Sequence, residues 1–302
     1  MRRVLSVHFA PCALFVAGVL ALLRAGSFSG RSDWHAVPPQ GSSDALALTV
    51  TVTVGAVLLG LLLQPFQVRA VRFLEGYWDR WFVTARLAGV LARVQRRRWE
   101  ALHERVQGRA DGDIELRVRG DARRRLAAQP PAEVLLPTAL GNALRAGELS
   151  AGERYGLTTL TSWPRIYLQV SDRMAEVLSS TRDALDTAVN LCWAFLMLTV
   201  VGCTGLYDEP TVWWWCGAGL GLAAVAYKGA VTAAQAYSGL MHVVYDLHRF
   251  DLLDALHLPL PADAASEETM FAELSNELAG VRLRERPYGH AARGEREEPT
   301  ET

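Results

Sequence analysis

Lysine is nearly absent from this 302-residue chain: of 31 basic residues, only Lys228 is not arginine. Net charge is −1, so no overall positive field argues for nucleic acid as a partner. Cysteine is sparse. Cys12, Cys192, Cys203 and Cys216 all sit in or beside apolar runs, and none forms a C-x-x-C pair. That spacing offers no zinc ribbon and no disulfide framework, and the thiols are expected to pack as small hydrophobes. G-x-S-x-G, H-E-x-x-H and Walker patterns are missing as well, which removes the motif-based case for a hydrolase, a zincin or a nucleotidase. Charge itself is missing from four long stretches, and these dominate the reading.

A helix needs about 20 apolar residues to cross the hydrocarbon core of a bilayer. Val4–Leu23, Ala45–Val68, Ala188–Tyr207 and a stretch from Val212 to Ala234 all qualify. The expected fold class is all-α: a polytopic membrane protein with four transmembrane helices and a helical cytoplasmic head. The first span follows Arg2 and Arg3 and lacks a clean small-x-small cleavage site, so it is expected to be a retained helix rather than a signal peptide. Asp208, Glu209 and Pro210 mark a tight turn that makes spans three and four a hairpin. Trp213, Trp214 and Trp215 follow at once. Tryptophan collects at the membrane–water boundary, and three in a row are expected to point in three directions as an interfacial belt.

Arginine sets the expected orientation. Residues 68–187 carry 20 of the 31 basic residues, the loop 25–44 carries Arg31 alone, and the turn 208–211 carries none. The positive-inside rule puts 68–187 and both termini in the cytoplasm and the two short loops outside. The expected organisation is 1–67 as spans one and two, 68–187 as a cytoplasmic helical region, 188–236 as the hairpin, 237–281 as a helical extension, and 282–302 as a disordered tail. The composition, arginine-heavy and rich in Ala, Gly and Val, points to a GC-rich bacterial genome, and the location to the plasma (cell inner) membrane.

Beyond span two, Val71, Leu74, Trp78, Trp81, Ala85, Ala88 and Leu91 recur at helical spacing. One long helix to about residue 108 is expected, with a break at Gly76 as the alternative. Residues 111–137 are the least ordered part by composition, and "QPPAEVLLP" within them reads as a linker or turn region. Thr138 is expected to cap a helix running through Arg154, with Gly156 closing it. Trp163 precedes Pro164 and is expected outside a helix. Ser171 or Asp172 caps the next helix, which runs into span three. Span four extends to Pro259, and a last helix is capped near Asp263 or Ser266 and closed by Gly280.

Each residue with chemical promise has a plainer use. Gly217–Gly221 reads "GAGLG", but no strand precedes it, so Gly217 and Gly221 are expected to serve close helix packing. Lys228 and Asn190 are the intramembrane polar residues. Lys228 lies towards the inner leaflet and is expected to snorkel to the headgroups. His242, Asp246 and Arg249 share one helix side and are expected to form salt-bridged surface. The Arg96–Arg98 and Arg123–Arg125 clusters suit anionic lipid better than nucleic acid. No catalytic residue, metal ligand or cofactor is expected.

Leu135–Tyr167 contains L-P-T-x-L-G-N (Leu136, Pro137, Thr138, Leu140, Gly141, Asn142), then R-Y-G-L (Arg154, Tyr155, Gly156, Leu157) and W-P-R-x-Y (Trp163, Pro164, Arg165, Tyr167). The stretch resembles a family of uncharacterised actinobacterial multi-pass membrane proteins with these motifs between two pairs of membrane helices. The resemblance implies the same helix order and no activity. Physically, these residues suit a membrane-proximal elbow with Pro137 and Pro164 fixing turns and Trp163, Arg165 and Tyr167 in the headgroup layer. The functional expectation is a non-enzymatic scaffold or effector subunit in bacterial signalling or defence. Its partners would be the lipid bilayer and either a second copy or a protein at the cytoplasmic face. A channel or transporter and a membrane-bound enzyme are the alternatives.

Overall fold

The computed structural model of the chain describes residues 2–78, 82–108 and 112–281. Every regular element among them is helical. The α-helices are α1 (Arg2–Arg24), α2 (Ser42–Leu63), α3 (Gln67–Glu75), α4 (Phe82–Gln107), α5 (Asp113–Ala127), α6 (Ala139–Ser150), α7 (Thr159–Ile166), α8 (Asp172–Gly205), α9 (Trp214–Ala255) and α10 (Ala264–Leu278). Four segments are long and apolar enough to cross a membrane: Val7–Arg24, Ser42–Glu75, Asp172–Gly205 and Pro210–Ala255. Only 11% to 28% of the residues in their most apolar windows are buried by the chain itself. The expected tail 282–302 and Trp81 lie outside the described residues.

The chain divides into two compact units, Met1–Ala143 with Ser179–Ala236, and Leu144–Leu178 with Tyr237–Thr302. Residues 68–143 cluster with the span helices, and 144–178 with the segment after 236.

In the first unit, α1 and α2 pair antiparallel through small residues. A Cβ on Gly55 would stand 3.1 Å from Val16, and one on Gly60 3.4 Å from His8. Arg24 closes the far end of this pair with two hydrogen bonds to the Asp44 carboxylate, at 3.0 and 2.6 Å. The loop between them meets the turn between α8 and α9, where the Ser32 N–H donates to Glu209 at 2.5 Å. The two short connections thus lie at the same end of this unit.

The helix after span two does break at Gly76, so the continuous helix is corrected. Gly76 adopts φ +96°. Its N–H bonds to the Phe73 carbonyl and the Tyr77 N–H to the Arg72 carbonyl, the paired bonds of a Schellman end. Three further expectations are corrected. The stretch 111–137, expected to be the least ordered, contains α5. Helix α6 ends at Ser150 rather than Arg154, and Glu153–Tyr155 form a separate 3-10 turn before Gly156. Trp163 and Pro164 are both inside α7. Tertiary packing overrides the local penalty there, because Thr159, Ser162 and Ile166 of α7 are all buried.

The second unit has its own core. Leu157, Ile166, Leu178, Tyr245, Leu253 and Phe271 are completely or almost completely buried in it. Helix α10 starts with a capping box in which Asp263 and Ser266 satisfy each other's backbone N–H. The Ser266 backbone and side chain hold the Asp263 carboxyl below the usual range. Gly280, at φ +89°, ends the helix.

Candidate functional site

The motif residues are the natural place to look for chemistry, and each half of the stretch is used locally. In the first unit, Asn142 clamps the chain just before α6. Its Oδ1 accepts from the Leu136 N–H at 2.6 Å, and its Nδ2 donates to the Leu136 carbonyl at 3.1 Å. Thr138 caps α6 as expected, its Oγ1 accepting from the Gly141 N–H at 3.0 Å. The same hydroxyl donates to the Glu75 carbonyl at 2.7 Å, satisfying an orphan acceptor at the end of α3. Gly141 lets the two helix ends touch, since a Cβ there would stand 2.1 Å from the Glu75 oxygen. Pro137 packs beside Gly76, and the Leu140 N–H donates to the Tyr227 hydroxyl at 3.1 Å. L-P-T-x-L-G-N is therefore a lock between α3 and α6.

In the second unit, Gly156 holds φ +83°, and a Cβ on it would collide with the Glu268 carbonyl at 2.6 Å. Ser275 of α10 ties the same turn, donating to the Gly156 carbonyl at 3.1 Å and accepting from the Thr158 N–H at 2.8 Å. The Tyr155 hydroxyl donates to Asp246. Burial, then this hydrogen bond to a carboxylate, pushes the Tyr155 phenol up from its ordinary value. Arg249 lies over the Tyr155 ring, 4.4 Å from its centroid, and pairs with Glu267 at 2.7 Å. Arg154 reaches Asp246 at 3.9 Å and His242 at 3.4 Å, and His242 Nδ1 donates to the Ser150 carbonyl at 2.7 Å. The cluster of Arg, His, Asp and Tyr is thus bonded within itself.

Trp163 turns inward. Its ring stacks on Tyr245 at 6.0 Å and meets Tyr237 edge-on at 6.4 Å. Tyr167, Pro164 and Arg165 are exposed, and Arg165 donates to the Thr161 carbonyl of its own helix. Residues that the sequence did not single out complete this region. Thr159 donates to the Glu148 carbonyl and accepts from the Gly152 N–H, while Ser162 lies 2.9 Å from the Tyr245 hydroxyl. Arg145 pairs with Glu148 and Glu153. No short motif signals these pairings; only the fold brings them together.

The polar residues of the spans have separate surroundings. Pro11 lies inside α1 and has no N–H for the Val7 carbonyl. Asn190 of α8 supplies it, donating at 3.4 Å, and stands 3.1 Å from His8 Nδ1. The side chains of His8, Gln67, Asn190 and Trp193 line an otherwise apolar cavity of about 330 Å³. Lys228 is exposed on α9. Trp213, Trp214 and Trp215 are all exposed by half or more. They do not point three ways: the Trp214 and Trp215 rings stack at 4.2 Å, and Trp213 donates to the Leu206 carbonyl.

Within the chain, the close approach of α9 to α8 is made at Gly219. Nothing lies within 4 Å of a Cβ on Gly217 or Gly221, whereas one on Gly219 would stand 2.3 Å from Thr199 Oγ1. Successive residues turn by about 100° along a helix, so Gly219 faces roughly opposite to its two neighbours. Arg124 and Arg125 are strongly exposed and share Asp121, and Arg96 pairs with Glu100. Among the described residues no group of three or more His, Cys, Asp or Glu side chains is arranged to hold a metal ion. Comparison with known families, curated proteins and solved structures finds no match for this chain.

Proposed function

We propose that this chain is a multi-pass protein of a bacterial plasma membrane, with both termini and its arginine-rich middle in the cytoplasm. In this reading it is a non-enzymatic scaffold or effector subunit. The α4–α5 arm engages a partner, and the span helices associate with further copies. The observation that carries the partner reading is the uncovered apolar stripe on α4: Leu87, Val90 and Val94 recur at three and four residues and remain exposed. Ile114, Leu116 and Val118 of α5 are exposed too. Apolar residues contiguous on a surface mark interaction sites more often than isolated ones do.

Other features agree with this reading. The motif residues are engaged in joining helix ends, which leaves little for acid–base chemistry. The open face of α9 at Gly217 and Gly221 suits a second copy of the helix. Leu160 and Leu168, 73% and 79% exposed, flank Arg165, a pattern suited to a membrane surface. In this reading, the motifs shared with the actinobacterial family that the chain resembles maintain a shape rather than a catalytic centre. A channel has less support, because Asn190 is bonded to α1 and Lys228 is exposed on α9.

A photo-crosslinking amino acid at Val90 tests the partner reading in native membranes. The expected result is a discrete adduct, with a second protein or a second copy, that is absent when the same probe replaces Arg96, exposed on the opposite side of α4. Equal, diffuse labelling at both positions would remove it.

A further inference from the structure

The first unit brings together two cysteines that lie far from any recognisable pairing motif. Helices α8 and α9 run antiparallel, with Gly219 against Thr199 and a Cβ on Gly202 lying 4.0 Å from Cys216 Sγ. That register sets Cys203, the next residue along α8, near Cys216, close enough for the two thiols to interact. Cys203 is exposed and Cys216 half-buried, whereas Cys12 and Cys192 are buried. The pair sits at the turn end of the hairpin, close to the exposed tryptophans. All four thiols are free in this structure.

We propose that Cys203 and Cys216 form an intramolecular disulfide that staples the extracytoplasmic end of the α8–α9 hairpin. The proposal rests on the orientation given above, which puts this end outside, where disulfides persist. The oxidant is a disulfide-carrying thiol oxidant of that compartment. The exposed Cys203 loses its proton, and the thiolate attacks the oxidant's disulfide. A Cys203–oxidant mixed disulfide forms and one oxidant sulfur leaves as thiolate. The Cys216 thiolate then attacks Cys203 Sγ, the Cys203–Cys216 bond forms, and the oxidant departs as a dithiol. Two cysteine thiols are oxidised and one disulfide is reduced; the two protons released by the cysteines end on the oxidant's thiols. Cys12 and Cys192 cannot take part from their buried positions and serve as internal controls.

Cells producing the full chain are quenched with N-ethylmaleimide. The membranes are then denatured and the blocked protein is compared by mass spectrometry with and without prior reduction. The expected result is two blocked thiols without reduction, four with it, and a proteolytic fragment joining Cys203 to Cys216. Dithiothreitol lowers the melting temperature of the wild type in detergent and leaves that of Cys203→Ser unchanged. A reporter inserted at the Asp208 turn separates the two layers. Four blocked thiols without reduction, with the reporter outside, overturn the disulfide alone. Four blocked thiols with the reporter inside overturn it together with the orientation. A disulfide joining two chains also overturns it.

Discussion

Asn142 shows how one side chain can carry a motif. Its amide meets both backbone groups of Leu136, as a neighbouring strand would, while itself almost fully buried. Asn142→Leu removes both bonds and leaves two backbone groups without partners, each costing about 1–3 kcal/mol when buried. The melting temperature in detergent is expected to fall clearly. Asn142→Asp keeps the acceptor and is expected to fall less. Equal melting of all three proteins would show that the lock contributes nothing. Tyr155 makes a prediction in pH. Its folded-state pKa is raised by burial and by Asp246, so its contribution is complete below the unfolded value of about 10. The contribution is lost as pH rises through the folded value. Melting temperature should therefore drop on the alkaline side in the wild type, and this limb should flatten in Tyr155→Phe. Neither pairing is legible in the sequence. It presents Tyr155 and Asp246 as residues of two helical regions, and nothing local says that they meet.

At the scale of elements, legibility follows the range of the forces. Capping is local, so Thr138, Ser171, Asp263 and Gly280 can be placed from their neighbours. The apolar spans are equally plain, because a water-soluble fold seldom keeps such lengths free of charge. Trp163–Pro164 is harder: the local rule disfavours helix there, while the burial of Ser162 and Ile166 favours it. Spacing alone does not say which face of a helix meets its neighbour, so it points to Gly217 and Gly221 where the contact is made by Gly219. The proline inside α1 gives an element-scale test. Pro11→Ala restores an N–H for the Val7 carbonyl, so Asn190 is no longer its only donor. Asn190→Leu is expected to destabilise the wild type by about 1 kcal/mol and the Pro11→Ala background by less. Equal losses in a double-mutant cycle would mean that Asn190 does not act through that carbonyl.

For the whole molecule, the balance between apolar surface and its covering is decisive. Four segments expose long apolar flanks that the chain itself covers only sparsely, and water is a poor solvent for such surfaces. The two short connections meet at one end through Ser32 and Glu209, as two antiparallel hairpins crossing a bilayer would require. In the orientation proposed above, arginine density selects the end that faces the cytoplasm. The most direct measurement is a pair of compartment reporters, one inserted near residue 115 and one near Asp208, in the full chain produced in bacteria. A membrane bundle of this orientation gives a cytoplasmic signal at 115 and an exterior signal at 208, with the protein extracted only by detergent. An exterior signal at 115, the same compartment at both positions, or a chain recovered soluble without detergent would contradict it.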